Sequence, residues 1–324
     1  MSTSIGGTLT GEGADFLIVD DPLTPMQALS NKFRQRALSW FRQSFMSRLN
    51  DKKHGAIVLI MQRLHNDDLS GLLLRSGGWE HLSLPAICTK NTKINFGCVK
   101  FTRKKGELLH LDREGIRDIE NAKKELGSYA FASQYQQNPE QIENGIINPK
   151  WLIKYKNPPQ FEKIYQSWDC AIKCDDRSDY TVCATFGLYG DKIYLIDILR
   201  KKLIYSKLKT LIVELANKYQ PSSILIEDKA SGQQLLQDLR HELPVVKCLP
   251  KWDKQTRLII SSYNIELGNF LIPYKANWLC EFEEELTNFP YVAHDDQVDA
   301  LTQFFIWHKN QKDVCYKMYN LQDL

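Results

Sequence analysis

Long apolar runs, the pattern of a leader sequence and CxxC pairs of cysteines are all absent from this sequence of 324 residues. No stretch approaches the roughly 18 apolar residues of a membrane-spanning helix, so we expect no membrane span. The N-terminus has no basic segment followed by an apolar core, which argues against a signal peptide. The eight cysteines include no CxxC pair, which argues against a zinc finger. We expect them to be reduced thiols in a cytosol.

A phosphate-binding loop of the form GxxxxGKS or GxxxxGKT is missing as well. The glycine-rich stretch from Gly6 to Gly13 is not followed by Lys-Ser or Lys-Thr. Without that loop the chain has neither the backbone cradle nor the lysine that bind nucleotide phosphates. Any ATPase function would therefore need a loop on an upstream segment or on another chain.

The excess of basic over acidic residues is small, with 42 lysines and arginines against 39 aspartates and glutamates. A net charge of +3 does not by itself predict a nucleic-acid partner, but it permits one where basic side chains cluster. The length allows two domains, and Asn138-Pro139 interrupts a helical pattern. We predict a first domain over residues 1–146, a second over 147–310 and a tail over 311–324.

In the first half, ADFLIVDDP predicts a buried parallel strand that ends in Asp20 and Asp21. In an ATPase this pattern is the Walker B strand, where Asp20 would hold magnesium and Asp21 would activate the attacking water. An apolar run followed by two aspartates also arises by chance. GAIVLIMQR predicts a second strand that ends at Gln62 and Arg63, and the segment from Trp79 to Cys88 predicts a third.

The second half predicts the order β-β-β-α-β-α-β-α, with a hairpin at Gly190-Asp191. Asp169 lies on the first of these strands and Glu227 at the end of the fourth, while Asp296 and Asp299 lie in the first turn of the last helix. If the first and fourth strands are neighbours, Asp169 and Glu227 face each other and the helix brings its aspartates across. The alternative is that the aspartates only cap this helix.

Carboxylates this close together raise each other's pKa, and divalent cations relieve the repulsion. Oxygen ligands suit Mg²⁺ or Mn²⁺ rather than zinc. Two such ions would activate a water and stabilise the leaving oxygen of a phosphodiester. Four basic residues are candidates for contacts with phosphate, although they could equally be ordinary surface charge: Lys229, Lys251, Lys254 and Arg257.

The ordered set of motifs resembles the large subunit of tailed-phage terminases, the DNA-packaging motor and nuclease. LTGEGADFLIVDDP resembles the Walker B region, IVLIMQRLHNDDLSG the segment with the coupling motif, and YQQNP the linker. SWDCAIKCDDRSDYTV, ILIEDKASG and HDDQVDAL resemble the three nuclease motifs. The fold implied is α/β: a truncated P-loop-type ATPase half-domain followed by a ribonuclease-H-like mixed-sheet nuclease domain.

The resemblance also implies roles for single residues. Asp169, Glu227 and Asp296 would be the catalytic, metal-binding triad. Asp179 and Asp299 would be further or supporting ligands, and the ranking of Asp295 against Asp296 and Asp299 stays open. In the first half, Asp20 and Asp21 would be the Walker B pair, with Asp21 in place of the more common glutamate, and Gln62 would be the coupling residue.

The function implied is that of a metal-dependent DNA endonuclease of viral DNA packaging with an incomplete ATPase motor. It would use two Mg²⁺ or Mn²⁺ ions, and ATP only if the missing Walker A half is supplied. Its partners would be double-stranded DNA, the terminase small subunit and the portal protein, in the cytoplasm of a bacterial host. The missing half implies a shortened or split terminase gene, as in a decaying prophage.

Two other interpretations remain open. A resolvase or transposase with the same ribonuclease-H-like fold is one, although such enzymes need no Walker-B-like half. An inactive remnant or a structural packaging subunit is the other. An exposed apolar surface on the first half would favour the remnant, because a sheet without its central strand and helices leaves its core open.

Overall fold

The computed structural model describes residues 2–7, 9, 11–139, 145–171, 180–228 and 231–320. The chain divides into two compact units, Met1–Gln141 and Ile142–Leu324. Both units mix helices and strands, so the predicted α/β class is confirmed. Among the described residues, no helix combines the length and apolarity needed to cross a membrane.

The described elements of the first unit are, in chain order, β1 (Phe16–Asp20), α1 (Pro25–Leu29), α2 (Asn31–Trp40), β2 (Ala56–Ile60), α3 (Leu69–Ser76), β3 (Thr92–Phe96), β4 (Val99–Arg103) and α4 (Ile116–Gln134). Strands β1 and β2 pair in parallel, and β3 and β4 form an antiparallel hairpin. Thr24 starts α1 with a capping box, and the buried Asp68 starts α3 by accepting a hydrogen bond from the backbone N–H of Gly71.

The strand predicted from Trp79 to Cys88 is wrong, because this described segment forms only an isolated bridge between Ile87 and Leu108. Pro85 has no N–H to donate to a sheet. The backbone next to it pairs elsewhere, since the N–H of Ala86 donates to the carbonyl of Tyr135, just after α4. The segment is therefore an extended connection.

Among the described residues, one face of the sheet of β1 and β2 is covered and the other is exposed. Leu17 and Val19 pack on the covered face against a cluster that includes Phe41, Phe45, Leu69 and Leu73. On the opposite face Phe16 is 69% exposed and Ile18 62% exposed, and Val58 and Ile60 of β2 are exposed beside them. The first unit thus leaves one apolar face of its sheet open.

The described elements of the second unit are β5 (Ile153–Tyr155), β6 (Lys163–Asp169), β7 (Thr181–Tyr189), β8 (Lys192–Lys201), α5 (Tyr205–Tyr219), β9 (Ser223–Glu227), α6 (Ser231–Leu239), β10 (Val245–Cys248), α7 (Lys254–Glu266), β11 (Phe270–Pro273), α8 (Leu279–Asn288) and α9 (Asp296–Asn320). Their strands form one sheet in the order β10-β9-β6-β7-β8-β11-β5. Strands β6, β7 and β8 are antiparallel neighbours, whereas β9 pairs with β6 in parallel.

This sheet is buried on both faces. Helices α7, α8 and α9 contribute to the core on one face, and α5 and α6 to the core on the other. Successive residues of β9 alternate between these cores, with Leu225 in the first and Ile224 and Ile226 in the second. In the first core, Phe304 of α9 stacks on Phe186 of β7 with ring centroids 4.1 Å apart. The long helix α9 is therefore fixed across the middle of the sheet.

Candidate active site

Two of the predicted acidic residues end neighbouring strands. In the pairing of β6 with β9, Trp168 lies opposite Ile226, so Asp169 and Glu227 follow them at the same edge of the sheet. Trp168 and Ile226 both belong to the core under α5 and α6. Because side chains alternate along a strand, Asp169 and Glu227 point towards the face that carries α9. The first and fourth predicted strands of the second half are thus neighbours, which is the condition under which Asp169 and Glu227 were expected to face each other.

A partly buried amide connects α9 to both of these strands. The Nε2 group of Gln303 donates hydrogen bonds to Ser167 Oγ at 2.9 Å, to the carbonyl oxygen of Trp168 at 3.2 Å and to that of Leu225 at 3.4 Å. Asp296 lies seven residues before Gln303, which is about two helical turns. The start of α9 therefore lies near the carboxyl ends of β6 and β9.

The charges of three other carboxylates act on Asp169, and we call the four residues the acidic cluster: Asp169, Glu227, Asp296 and Asp299. Burial raises the pKa of Asp169 well above its usual value, and the charges of Asp299, Glu227 and Asp296 raise it further. Lys254 acts in the opposite direction. Asp296 is 4% exposed, so the cluster is largely shielded from solvent. The acidic cluster thus combines sequence-predicted residues from β6, β9 and α9 that interact through their charges.

Two cations from α7 neutralise part of this cluster. Arg257 Nη2 donates to Asp299 Oδ1 at 2.6 Å, and Lys254 Nζ contacts Asp299 Oδ2 at 2.8 Å and Asp295 Oδ1 at 2.5 Å. Burial raises the pKa of Asp299, while the two cations lower it. Burial alone would lower the pKa of Lys254, but its hydrogen bonds to Asp295 and Asp299 reverse the shift and raise it. Each carboxylate oxygen of Asp299 is therefore bound to a cationic side chain.

The remaining predicted site residues have other positions. Arg257, a candidate for phosphate contact, has a side chain only 7% exposed and bound to Asp299, whereas Lys251 is exposed. Asp179 and Lys229 lie outside the described residues. Within the described part of the chain, no three His, Cys, Asp or Glu side chains are grouped tightly enough to hold a metal ion together. Metal binding at the acidic cluster stays a prediction.

Residues 166–306, which contain this cluster, match the family model described as the terminase RNaseH-like domain. This segment is a terminase ribonuclease-H-like domain. The resemblance to the C-terminal part of the large subunit of tailed-phage terminases is thereby confirmed. No curated protein matches the chain.

The chain is also similar to the large terminase of a thermophilic bacteriophage. One crystal form of that protein matches with 12% identity and a TM-score of 0.53, over 91% of this chain and 69% of that one. Its complex with ATP-gamma-S matches with 12% identity and a TM-score of 0.53, over 92% and 71%. Identity this low shows a shared fold and no more.

A nuclease domain from another large terminase, that of the thermophilic phage G20c with bound magnesium, matches at 16% identity. The match covers 50% of this chain and 97% of that one, with a TM-score of 0.38. That score is too low to support an argument about this chain.

Outside the terminase ribonuclease-H-like domain, the predicted ATPase residues gather at one edge of the small parallel sheet. Asp20 ends β1, and Asp21 follows it with a φ of 37°. The N–H of Asp21 donates to the carbonyl oxygen of Ile60, the last residue of β2, at 2.9 Å. Gln62 comes two residues after β2 and lines the same cavity as Asp21. Their ATPase roles stay predictions.

Sequence reasoning missed two polar residues that connect α9 to the rest of the domain: Gln303, which binds β6 and β9, and Glu285 of α8, which binds Gln297 and Val298. The sequence shows Gln303 only as part of an amphipathic helix, because its partners are groups on distant strands. Glu285 is one of several acidic residues in the segment EFEEEL. The only signal was its spacing of three residues from the apolar Phe282, which places the two on the same side of α8.

Proposed function

We propose that this chain is a metal-dependent DNA endonuclease of viral DNA packaging, with Asp169, Glu227 and Asp296 as the catalytic, metal-binding residues. The observation that supports it most directly is the acidic cluster around Asp169, built from three different elements inside a terminase ribonuclease-H-like domain. Buried like charges that repel one another are unfavourable unless a cation neutralises them. Such an arrangement is typical of a binding site for divalent ions.

The donor atoms of the cluster are of the type that hard cations prefer. Carboxylate oxygens are the preferred ligands of Mg²⁺ and Mn²⁺. Two thiols lie close by, but burial raises the pKa of Cys170 strongly and that of Cys248 to about 12. The proposed ligands Asp169, Glu227 and Asp296 are all carboxylates, so the donors assigned to the ions are oxygens.

Each residue of the triad would contribute from a different element. Asp169 and Glu227 would hold the ions at the ends of β6 and β9, and Asp296 would close the site from α9. Two bound ions would supply an activated water and stabilise the leaving oxygen of a DNA phosphodiester. Asp179 is proposed as a further ligand on sequence alone. Burial among protein groups would keep other water away from the reacting phosphate.

Asp299 fits a supporting role better than that of a metal ligand. Its two oxygens already bind Arg257 and Lys254, and both contacts would have to break before an ion could replace them. We assign Arg257 to this ion pair. Lys251 and the half-exposed Lys254 fit contacts with the phosphate backbone, and Lys229 is proposed for the same role on sequence alone.

The first unit is proposed to be part of an ATPase domain, with Asp20 and Asp21 as the Walker B pair and Gln62 as the coupling residue. The 324 residues contain no GxxxxGKS or GxxxxGKT loop, so we expect no ATP hydrolysis by this chain alone. A phosphate-release assay on the purified protein tests this, and robust turnover would overturn it. Double-stranded DNA, the small subunit and the portal protein are the proposed partners, in a bacterial host's cytoplasm.

A plasmid-nicking assay tests the endonuclease function. Purified protein with Mg²⁺ or Mn²⁺ should convert supercoiled plasmid to nicked and linear forms, and EDTA should stop the reaction. Asp169→Asn should abolish nicking, whereas Asp112→Asn on the exposed surface of the first unit should leave it unchanged. Equal nicking by wild type and Asp169→Asn would rule this site out.

A second candidate function is that of a folded subunit without cleavage activity, either a remnant or a structural packaging component. The exposed apolar face of β1 and β2 favours it, because such a face is typical of an incomplete domain or of a surface that another chain covers. The same assay separates the two functions. A wild-type protein that is folded but does not nick DNA with either metal would favour this second candidate.

A further inference from the structure

The first backbone N–H groups of α9 are capped by a side chain from another helix. The first N–H groups of any helix lack partners inside that helix. Here Glu285 of α8 supplies an acceptor, since its Oε1 accepts from the N–H groups of Gln297 at 2.8 Å and of Val298 at 3.0 Å. Its Oε2 accepts from the side-chain Nε2 of Gln297 at 2.6 Å. One carboxylate thus makes three hydrogen bonds to the first turn of α9.

The capping carboxylate of Glu285 is buried, and all of these hydrogen bonds lie inside the protein. Glu285 is 5% exposed, and burial raises its pKa to about 6 against the opposing effect of its three hydrogen bonds. A negative charge at a helix N-terminus is favoured by the helix dipole, most strongly when the pair is buried. The contact therefore fixes where α9 begins relative to α8, and it does so from outside the helix.

The residue fixed most directly is Asp296. It immediately precedes Gln297, whose backbone and side chain both bind Glu285, and Asp296 itself is buried. A shift at Gln297 would carry Asp296 with it, because the two share a peptide unit. The other end of this part of α9 is fixed to β6 and β9 through Gln303. Rotation or sliding of α9 is restrained at both points.

We propose that Glu285 is a positioning residue for the metal site: it holds the first turn of α9 so that the Asp296 carboxylate meets Asp169 and Glu227. This inference rests on the proposed metal-dependent nuclease function. Glu285 acts through Asp296 and binds neither metal nor DNA. Its loss should weaken metal binding without altering the affinity for DNA.

The test compares wild type, Glu285→Ala and the control Glu284→Ala. The control removes the same charge from the same helix at a less buried position. Metal binding is read from the rise in melting temperature as Mg²⁺ or Mn²⁺ is titrated, and from the metal concentration that gives half-maximal nicking. Glu285→Ala should raise about tenfold the metal concentration needed for half of the thermal stabilisation and the one needed for half-maximal nicking. Loss of outer-shell partners of metal ligands commonly has an effect of this size. The KM for plasmid should be unchanged. Glu284→Ala should match wild type.

A conservative variant guards against a simple loss of folding. In Glu285→Gln the side-chain oxygen can still accept from the backbone N–H groups of Gln297 and Val298. The new amide nitrogen can donate to the side-chain oxygen of Gln297 once that amide rotates by half a turn. Glu285→Gln should therefore keep metal binding within about twofold of wild type, while Glu285→Ala loses it, if the hydrogen bonds position Asp296.

The outcomes separate this inference from the function on which it rests. Failure of wild type to bind metal in the thermal titration would overturn both. Metal-dependent wild-type nicking that Asp169→Asn abolishes, with unchanged metal concentrations in Glu285→Ala, would overturn the positioning role alone. A lower melting temperature in Glu285→Ala with wild-type metal binding would also overturn it, since Glu285 would then only stabilise the fold.

Discussion

Asp169 is buried among other carboxylates, and burial and charge repulsion both raise its pKa. A carboxyl group with a raised pKa in the folded state binds more protons there than in the unfolded state. Its contribution to stability is therefore present at low pH and is lost as the pH rises from the unfolded pKa, near 3.8, through the folded one. At neutral pH and without metal, the charge on Asp169 should destabilise the protein.

Asp169→Asn should accordingly raise the melting temperature in EDTA at pH 7, even though it removes nuclease activity. Asparagine keeps the shape of the side chain and lacks the repelled charge. Added Mg²⁺ should then stabilise wild type more than the variant. Differential scanning calorimetry checks both points, with Asp112→Asn as the control of equal charge change. A lower melting temperature for Asp169→Asn in EDTA would contradict the electrostatic account of the cluster.

Arg257 makes the opposite kind of contribution, because its charge neutralises a buried carboxylate. Arg257→Met would leave Asp299 with Lys254 as the remaining cation of the pair from α7. Removing one member of a buried ion pair leaves the charge of the other, here Asp299, poorly neutralised. We therefore expect a loss of about 2–3 kcal/mol in the free energy of unfolding. Urea denaturation measures it.

Lys251→Met is the matched control for Arg257→Met, because it removes a basic side chain from an exposed position close in sequence. It should change the free energy of unfolding by less than about 0.5 kcal/mol. Adding Asp299→Asn to Arg257→Met should recover part of the loss, since the poorly neutralised charge is then removed. Equal stability of the two single variants would show that the ion pair contributes nothing.

Among the elements, the connection from β9 to α6 depends on a glycine. A Cβ atom at Gly232 would lie 1.9 Å from the carbonyl oxygen of Glu227, which is backbone and cannot rotate away. The start of α6 therefore packs directly against the residue that ends β9. Any side chain at position 232 must push the two apart and displace Glu227.

Gly232→Ala should therefore lower the free energy of unfolding by about 1–3 kcal/mol and reduce nicking strongly. Gly115→Ala is a suitable control, because the nearest atom to its added Cβ is a side-chain oxygen of Asp118 at 3.6 Å. Urea denaturation and the nicking assay should both separate the two variants. Wild-type nicking by Gly232→Ala would mean that the end of β9 adapts without moving Glu227.

The elements that carry the acidic cluster could be predicted because apolar residues lie directly beside their acidic ones. Strands β6 and β9 and helix α9 all have this pattern. Strands β5 and β11 could not be predicted, because they span only three and four residues. So short a strand gives too few alternating apolar and polar side chains to detect. They are defined by the neighbours they pair with, and the sequence does not reveal those neighbours.

The detailed geometry of the site was predictable only in part. The sequence indicated which carboxylates converge, but not that Arg257 and Lys254 would bind Asp299, because that contact joins positions 42 and 45 residues apart on two helices. Several basic residues near Arg257 were equally plausible partners for phosphate. Burial separates them, and burial depends on the packing of α7 against α9.

On the scale of the whole molecule, the two units differ in how completely they cover their sheets. The sheet of the second unit has helices on both faces, whereas the pair β1 and β2 has one face covered. Phe16 and Ile18 are exposed there beside Val58 and Ile60 of the neighbouring strand. Contiguous exposed apolar side chains on a sheet with open edges are typical sites of association.

This asymmetry predicts where the isolated chain associates with itself. The double variant Ile18→Lys and Ile60→Lys should reduce binding of the dye ANS and concentration-dependent self-association in sedimentation velocity, because charges interrupt the apolar face. Metal-dependent nicking should stay at the wild-type level, since the acidic cluster lies in the other unit. Leu17→Lys is the contrasting variant: it places a charge in the covered core of the first unit and should increase ANS binding. Unchanged ANS binding and self-association in the double variant would show that another surface is responsible.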